Sequence, residues 1–336
     1  LGQEWTEAAP GVWQARVDGQ QFGLEAPDAE LRDGRLQLRA GASAQWFAVP
    51  ADSSLEAWAE ALSAPVTDVE TTYGLDQATA STRLTYTGTD ATVLVPFPGR
   101  ETGDCALGTF DTIFGAAAAC ATTSFSWSVP RIAPAAGYDL DALDDAARAS
   151  LIAQTRDDLA ATAPLPADTY FGGKGLARLA ALLELARSLG DDEGASAAAD
   201  RLWEELQPWA DPTACDAQGS GCFVYDDALR LVVGKAPSFG SEEGNDHHFH
   251  YGYFLAAAAA LASERPELVD SLRPVVDILA ADIAAGTRDG ALGGLRVFDP
   301  YRGHSWASGL SPFVDGNNQE STSEAVAAWN GLALWA

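Results

Sequence analysis

The sequence has no methionine, only four cysteines and four histidines, and few basic residues: 20 Lys and Arg stand against 48 Asp and Glu in 336 residues, a formal net charge of −28. That imbalance argues against nucleic acid and anionic membrane surfaces as partners. It fits an acidic, soluble enzyme with a neutral or cationic substrate, and equally a surface made acidic only for solubility. No apolar stretch reaches the ~20 residues of a membrane span. The cysteines fall as two local pairs, Cys105 with Cys120 and Cys215 with Cys222, without C-x-x-C or Cys-His zinc spacing. They read as two loop-closing disulfides and hence export, with free buried thiols as the other reading. There is neither an initiator Met nor a signal peptide. Residue 1 enters a strand-like pattern and Ala336 stops inside an apolar helical run, so a fragment of a longer secreted protein is expected.

What is present divides in two. Residues 1 to about 130 alternate with period two: Trp13–Val17 and Gln21–Leu24 flank the hairpin signal Asp18-Gly19, followed by Arg35–Arg39, Ala80–Thr87 and a more buried run over 91–97. Short strands at this spacing predict an antiparallel sandwich, with Trp5, Trp13 and Trp46 in its core. After Pro130, Pro134 and Gly137 the period changes. Leu140, Leu143, Ala147, Leu151, Thr155 and Leu159 mark an amphipathic helix, and Leu176, Leu179, Leu183 and Ala186 a second. A third runs to about Gln207, a helix from Tyr251 is apolar on all sides, another covers Glu267 to Ala285, and a last begins at Ser321. About six helices joined by long loops suggest helical hairpins packed in a ring that would close only with further sequence.

Chemistry concentrates in three loops. The first, Asn245-Asp246-His247-His248-Phe249-His250-Tyr251, holds three of the four histidines; the second is His304-Ser305-Trp306; the third runs from Asn317 to Glu324. Ser321 and Glu324 have capping-box spacing, which explains Glu320 less well. On a strand, Asp246, His248 and His250 would point the same way, as zinc ligands could. Alternatively, Asp246 beside an apolar helix would have its pKa raised by desolvation, as a general acid requires, while Glu320 among amides would stay charged as a base. That is the two-carboxylate logic of glycoside hydrolysis, with Tyr170, Tyr251, Tyr253 and Trp306 able to stack on sugar faces.

Asn245-Asp-His-His-Phe-His-Tyr-Gly-Tyr-Phe254, His304-Ser-Trp-Ala-Ser-Gly309 and Asn318-Gln-Glu-Ser-Thr-Ser-Glu-Ala325 resemble the signature blocks of glycoside hydrolase family 81, the endo-1,3-β-glucanases or laminarinases. Asp168-Thr-Tyr-Phe-Gly-Gly-Lys174 and Phe223-Val-Tyr-Asp226 resemble two further blocks in the right order. The resemblance implies an α+β multidomain chain: a β-sandwich over 1–128, a connecting region with the first helix over 129–165, and an incomplete (α/α)6 barrel over 166–336. It implies inverting hydrolysis of neutral β-1,3-glucan by a secreted monomer without metal or organic cofactor. Asp246 falls on the acid, Glu320 on the base and Glu324 on a second glutamate. Tyr170, Lys174, Asp226, Asn245, His248, His250, Tyr251, His304, Trp306 and Asn318 become candidates for substrate binding. After Asp226 the chain departs from the family pattern, which puts that subsite in question. Two rival readings are a non-catalytic β-glucan-binding protein and a metal-dependent hydrolase or lyase built on His247–His250.

Overall fold

The computed structural model describes residues 4–62, 64–100, 103–285, 290–292, 298–309, 314 and 316–336. The chain forms two compact units, residues 1–132 and 133–336, so the stretch 133–165 belongs to the same unit as the later helices.

The first unit is built from antiparallel strands. Asp18 and Gly19 both take left-handed backbone, φ 49° and 85°, as a two-residue type I′ turn requires. They join Val12–Val17 to Gln20–Glu25, the middle strands of a four-stranded sheet edged by Thr6–Ala9 and Gln45–Val49. A second sheet orders Ser124–Pro130, Thr79–Thr87 and Asp68–Leu75. Cys105 and Cys120 form a disulfide.

Three expectations need correcting in this unit. A short helix, α1 (Leu55–Ala61), interrupts the strands; Ser54 caps it by accepting from the Ala57 N–H at 3.2 Å, and Leu55 and Trp58 enter a core with Phe47 and Val49. The strand expected over 91–97 shrinks to Val93–Leu94, because Pro96 and Pro98 have no N–H to give a ladder. Trp46 is 60% exposed: on Gln45–Val49 the pleat turns Phe47 and Val49 inward, so their neighbour points out. Trp13 is a core residue as expected.

In the second unit, α2 (Asp145–Ala160) starts where the Asp144 carboxylate accepts from the Ala147 N–H at 2.8 Å. Leu140 and Leu143, expected inside this helix, precede that cap. Helix α3 (Phe171–Leu189) buries Leu176, Leu179, Leu183 and Ala186 and stops at Gly190, whose φ of 74° closes it. Asp191 begins α4 (Asp192–Ala210), taking both the Gly194 N–H and the Arg156 guanidinium of α2. This helix continues past Gln207, through Pro208. A single turn, α5 (Ala214–Ala217), a Cys215–Cys222 disulfide and the hairpin Phe223–Asp226/Leu231–Gly234 follow. Then come α6 (His247–Glu264), α7 (Val269–Ala284) and α8 (Thr322–Trp335).

Helix α6 is the hub. It packs on α3, α4, α7 and α8, and fourteen of its residues are buried, which is what an all-round apolar helix demands. Among the described residues the long helices number six, α2, α3, α4, α6, α7 and α8; a closed (α/α)6 ring needs twice as many.

Helices α6 and α8 come close because small residues face each other. A Cβ on Gly252 would lie 2.5 Å from the Ala328 Cβ, and one on Gly331 would lie 2.9 Å from the Ala256 nitrogen. In an open helix Gly→Ala stabilises by about 1 kcal/mol. Here overpacking reverses the sign: Gly252→Ala is expected to cost about 1–3 kcal/mol, read as a lower urea midpoint at unchanged slope.

Candidate active site

Backbone hydrogen bonds bring the three polar loops together. The Asp246 N–H donates to the Ala307 carbonyl at 2.9 Å, and the Ala307 N–H donates to the Asn318 carbonyl at 2.9 Å. Side-chain amides brace the same crossing: Asn245 Oδ1 accepts from the Gly309 N–H at 2.9 Å, and Asn317 Oδ1 from the Ser308 N–H at 3.0 Å. Gly309 has no alternative here, since a Cβ would sit 2.2 Å from the Gly244 carbonyl carbon. Segment 304–309 is thus held between the start of α6 and the loop that carries Glu320 into α8.

Asp246 and Glu320 are both non-glycine residues in left-handed backbone, φ 58° and 55°. Such a conformation costs on the order of 1–3 kcal/mol and survives only where surroundings impose it. At Asp246 it has a chemical consequence. The residue stands at the N-cap of α6, yet its carboxylate makes no capping bond. Burial, then the charges of Glu320 and Glu324, push its pKa up from 3.8 to about 7, against the opposing influence of His247. Asp246 is half-buried, whereas Glu320 is exposed to solvent.

Glu324 lies in the first turn of α8. Ser321 accepts from its N–H at 3.4 Å, the Ser half of the expected capping box. Its carboxylate, however, accepts from the Tyr253 hydroxyl and sits 3.9 Å from Lys174 Nζ. Burial raises its pKa, but bonds from Ser321 and Tyr253 and the Lys174 charge outweigh that and leave it lowered. Tyr253 in turn is driven strongly upward by burial and by Glu324, so it remains a phenol donor.

Three of the four histidines lie in the first turn of α6. Residues 247–264 are helical, and at 3.6 residues per turn His248 and His250 point about 200° apart. The strand geometry that would have aligned them with Asp246 is not formed. Among the described residues no three His, Cys, Asp or Glu side chains are placed to hold a metal. His247 is fully buried between two acceptors, Asp282 Oδ2 and the Ser241 carbonyl, each at 2.6 Å. His248 and His250, also fully buried, have pKa values lowered to about 4 by burial first and by His247 second, so both are neutral. Thr169 Oγ1 holds His250 Nδ1 at 2.8 Å. His250 Nε2 and both His248 nitrogens have no partner among the described residues.

The other candidates separate by environment. Tyr170 and Lys174 stay together beside the carboxylates: Lys174 Nζ lies 5.0 Å from the Tyr170 ring centre, and that ring meets Tyr253 at 6.1 Å. His304 and Trp306 are half-buried neighbours, rings 4.5 Å apart, with Trp306 Nε1 donating to Asp299 at 3.1 Å. Asn318 is exposed and contributes its carbonyl to the relay. Three candidates are engaged by the fold itself. Tyr251 is fully buried and its hydroxyl donates to the Val232 carbonyl; Asp226 closes its hairpin turn by accepting from the Ala228 and Leu229 N–H groups at 2.9 Å; and Asn245 is a brace. His248 and His250 lie behind the surface rather than on it.

Sequence reasoning missed Thr169, Ser241 and Asp282. Asp282 was detectable: it is the acidic member of the buried α7 row Leu272, Val275, Val276, Leu279, Asp282, Ile283. It holds His247 with one oxygen and accepts from the Val232 N–H at 2.9 Å with the other. Removing one partner of such a buried pair leaves the other uncompensated, so Asp282→Ala should cost about 3–5 kcal/mol. Asp282→Asn, which keeps an acceptor, should cost less, as equilibrium denaturation would show.

Residues 141–336 match the glycosyl hydrolase family 81 C-terminal domain. A protein of Acetivibrio thermocellus named glucan endo-1,3-beta-D-glucosidase is 44% identical over 181 residues, 53% of this chain and 23% of that protein. One of the same name from Glycine max is 36% identical over 178 residues, 50% of this chain and 26% of that protein. The primary septum glucan endo-1,3-beta-D-glucosidase of Schizosaccharomyces pombe is 34% identical over 176 residues, 49% and 17% of the two chains. A solved glycoside hydrolase family 81 structure from Clostridium thermocellum superposes with a TM-score of 0.86 at 29% identity, covering 100% of this chain and 50% of that one. The chain therefore spans about half the length of that structure and belongs to glycosyl hydrolase family 81.

Proposed function

We propose that the protein is a secreted endo-1,3-β-glucanase that cleaves neutral β-1,3-glucan with inversion. Asp246 is the general acid and Glu320 the general base. The observation that carries this reading is the pairing of unlike carboxyls across one backbone relay, Asp246 half-buried with a pKa near 7 and Glu320 in solvent. Unlike environments are what separate an acid from a base at one pH.

In the reaction Asp246 gives its proton to the glycosidic oxygen as the C1–O bond breaks. Glu320 takes a proton from water on the opposite face of the sugar while that water's oxygen bonds to C1, which inverts the anomeric centre. Glu324, anchored by Tyr253 and Lys174, stays anionic and helps keep the proton on Asp246. Tyr170, Lys174, His304 and Trp306 line the groove. The helical unit is part of an (α/α)6 barrel, and the strand unit is a β-sandwich. Two disulfides support an oxidising, extracellular setting. The enzyme acts as a monomer without a cofactor.

Proton NMR of laminarin digestion tests substrate and stereochemistry together: the first new reducing ends should be α-anomers, and β-anomers would refute inversion. Asp246→Asn should lower kcat by about 10²–10⁴-fold; unchanged hydrolysis would remove Asp246 from the acid role. In the wild type, kcat should fall as pH rises through 7 and the acid deprotonates.

The same substitution has a stability signature. A carboxyl with its folded pKa raised from 3.8 to about 7 contributes stability below pH 4 that is lost as pH rises through 7. Asp246→Asn, which cannot ionise, should therefore be more stable than wild type at pH 8. At pH 4 the two should coincide. Thermal melts at the two pH values check both.

A further inference from the structure

Two phenylalanines beside the candidate site are placed where solvent, not a core, receives them. Phe171 is 53% exposed and Phe239 is 59% exposed. With Tyr170 they form a closed trio, ring centres 4.8 Å apart for Tyr170–Phe239, 5.1 Å for Tyr170–Phe171 and 5.9 Å for Phe171–Phe239. Phe239 also has φ 54°. An aromatic side chain is among the least suited to left-handed backbone, where Gly or Asn would be free of strain.

The surrounding structure imposes this conformation. One oxygen, Asp168 Oδ1, accepts from the Tyr170 N–H at 2.9 Å, the Phe171 N–H at 2.8 Å and the Ser238 hydroxyl at 3.2 Å. Ser238 is tied onward, its carbonyl accepting from the Ser241 N–H at 3.1 Å. The same carboxylate thus fixes both segments that carry the rings. Burial of Phe239 does not explain the strain, because its face is open.

The trio is continuous with the reacting groups. Tyr170 meets Tyr253, Tyr253 bonds Glu324, and Lys174 lies against both Tyr170 and Glu324. The platform therefore extends outward from the Glu324 side of the site. Equatorial substitution leaves both faces of a β-glucosyl ring lined by C–H groups, which suits a rigid, open aromatic surface. We propose that Phe239, supported by Phe171 and Tyr170, is a stacking seat for a glucosyl residue of the polymer outside the bond being cleaved, giving preference for long chains. This rests on the glucanase reading above.

The test uses two probes, laminarin and laminaritriose, and two variants. Phe239→Asn keeps a residue that tolerates the left-handed backbone, and Phe171→Ser removes the neighbouring ring at an exposed position; melting temperatures confirm that each folds. Each variant should raise KM for laminarin about tenfold and leave kcat and KM for laminaritriose unchanged. No change with laminarin, or equal changes with both probes, would overturn the seat. Affinity electrophoresis in laminarin gels, with Asp246→Asn as the inactive parent, separates binding from catalysis. Weaker retention on adding Phe239→Asn supports the seat even if the wild type proves inactive, in which case the catalytic reading alone fails. Hydrolysis by the wild type with retention independent of Phe239 overturns the seat alone.

Discussion

The backbone relay from Asp246 through Ala307 to Asn318 ties together the segments that carry Asp246 and Glu320. Main-chain bonds hold position with far less slack than two long side chains could, because the peptide groups they join are planar and the intervening torsions few. Asp246 and Glu320 both take left-handed backbone beside this relay. Neither conformation is stable by itself. Both rest on α6, whose buried surface against α3, α4, α7 and α8 outweighs a few kcal/mol of local strain.

The strain and the proton are connected. An aspartate at an N-cap ordinarily takes extended backbone and accepts from its helix's first N–H groups, which stabilises the carboxylate and lowers its pKa. Left-handed backbone leaves Asp246 without that bond, and burial is left to raise the pKa. Three carboxyls in one region compete for few positive charges. Glu324 has a phenol, a hydroxyl and an ammonium, and its pKa is lowered; Asp246 is half-buried without a capping bond, and its pKa is raised. The asymmetry between Asp246 and Glu324 is thus built from which partners are missing as much as from which are present.

The elements with strong local signals were legible in the chain: the Asp18-Gly19 hairpin, the apolar helix α6, the Ser321 cap and both disulfides. The polar loops were also recognisable as motifs. What could not be read was anything set by long-range pairing. Nothing local to His247 predicts that Asp282 will face it, or that Thr169 will meet His250. Asp226, a candidate through its resemblance block, accepts from the Ala228 and Leu229 N–H groups, a partnership that forms only when the hairpin closes. Reading residues 246–250 as a possible strand put three ligating side chains on one face; the helical period disperses them.

Dispersal also explains why histidine belongs behind this site. Desolvation keeps His248 and His250 neutral, so they place polar rings close to Asp246 without adding the positive charge that would pull its proton away. His247, which opposes the rise at Asp246, is held by the Asp282 carboxylate within the core. The pKa of Asp246 therefore depends on packing several residues deep, through α7, which holds His247, as well as through α6.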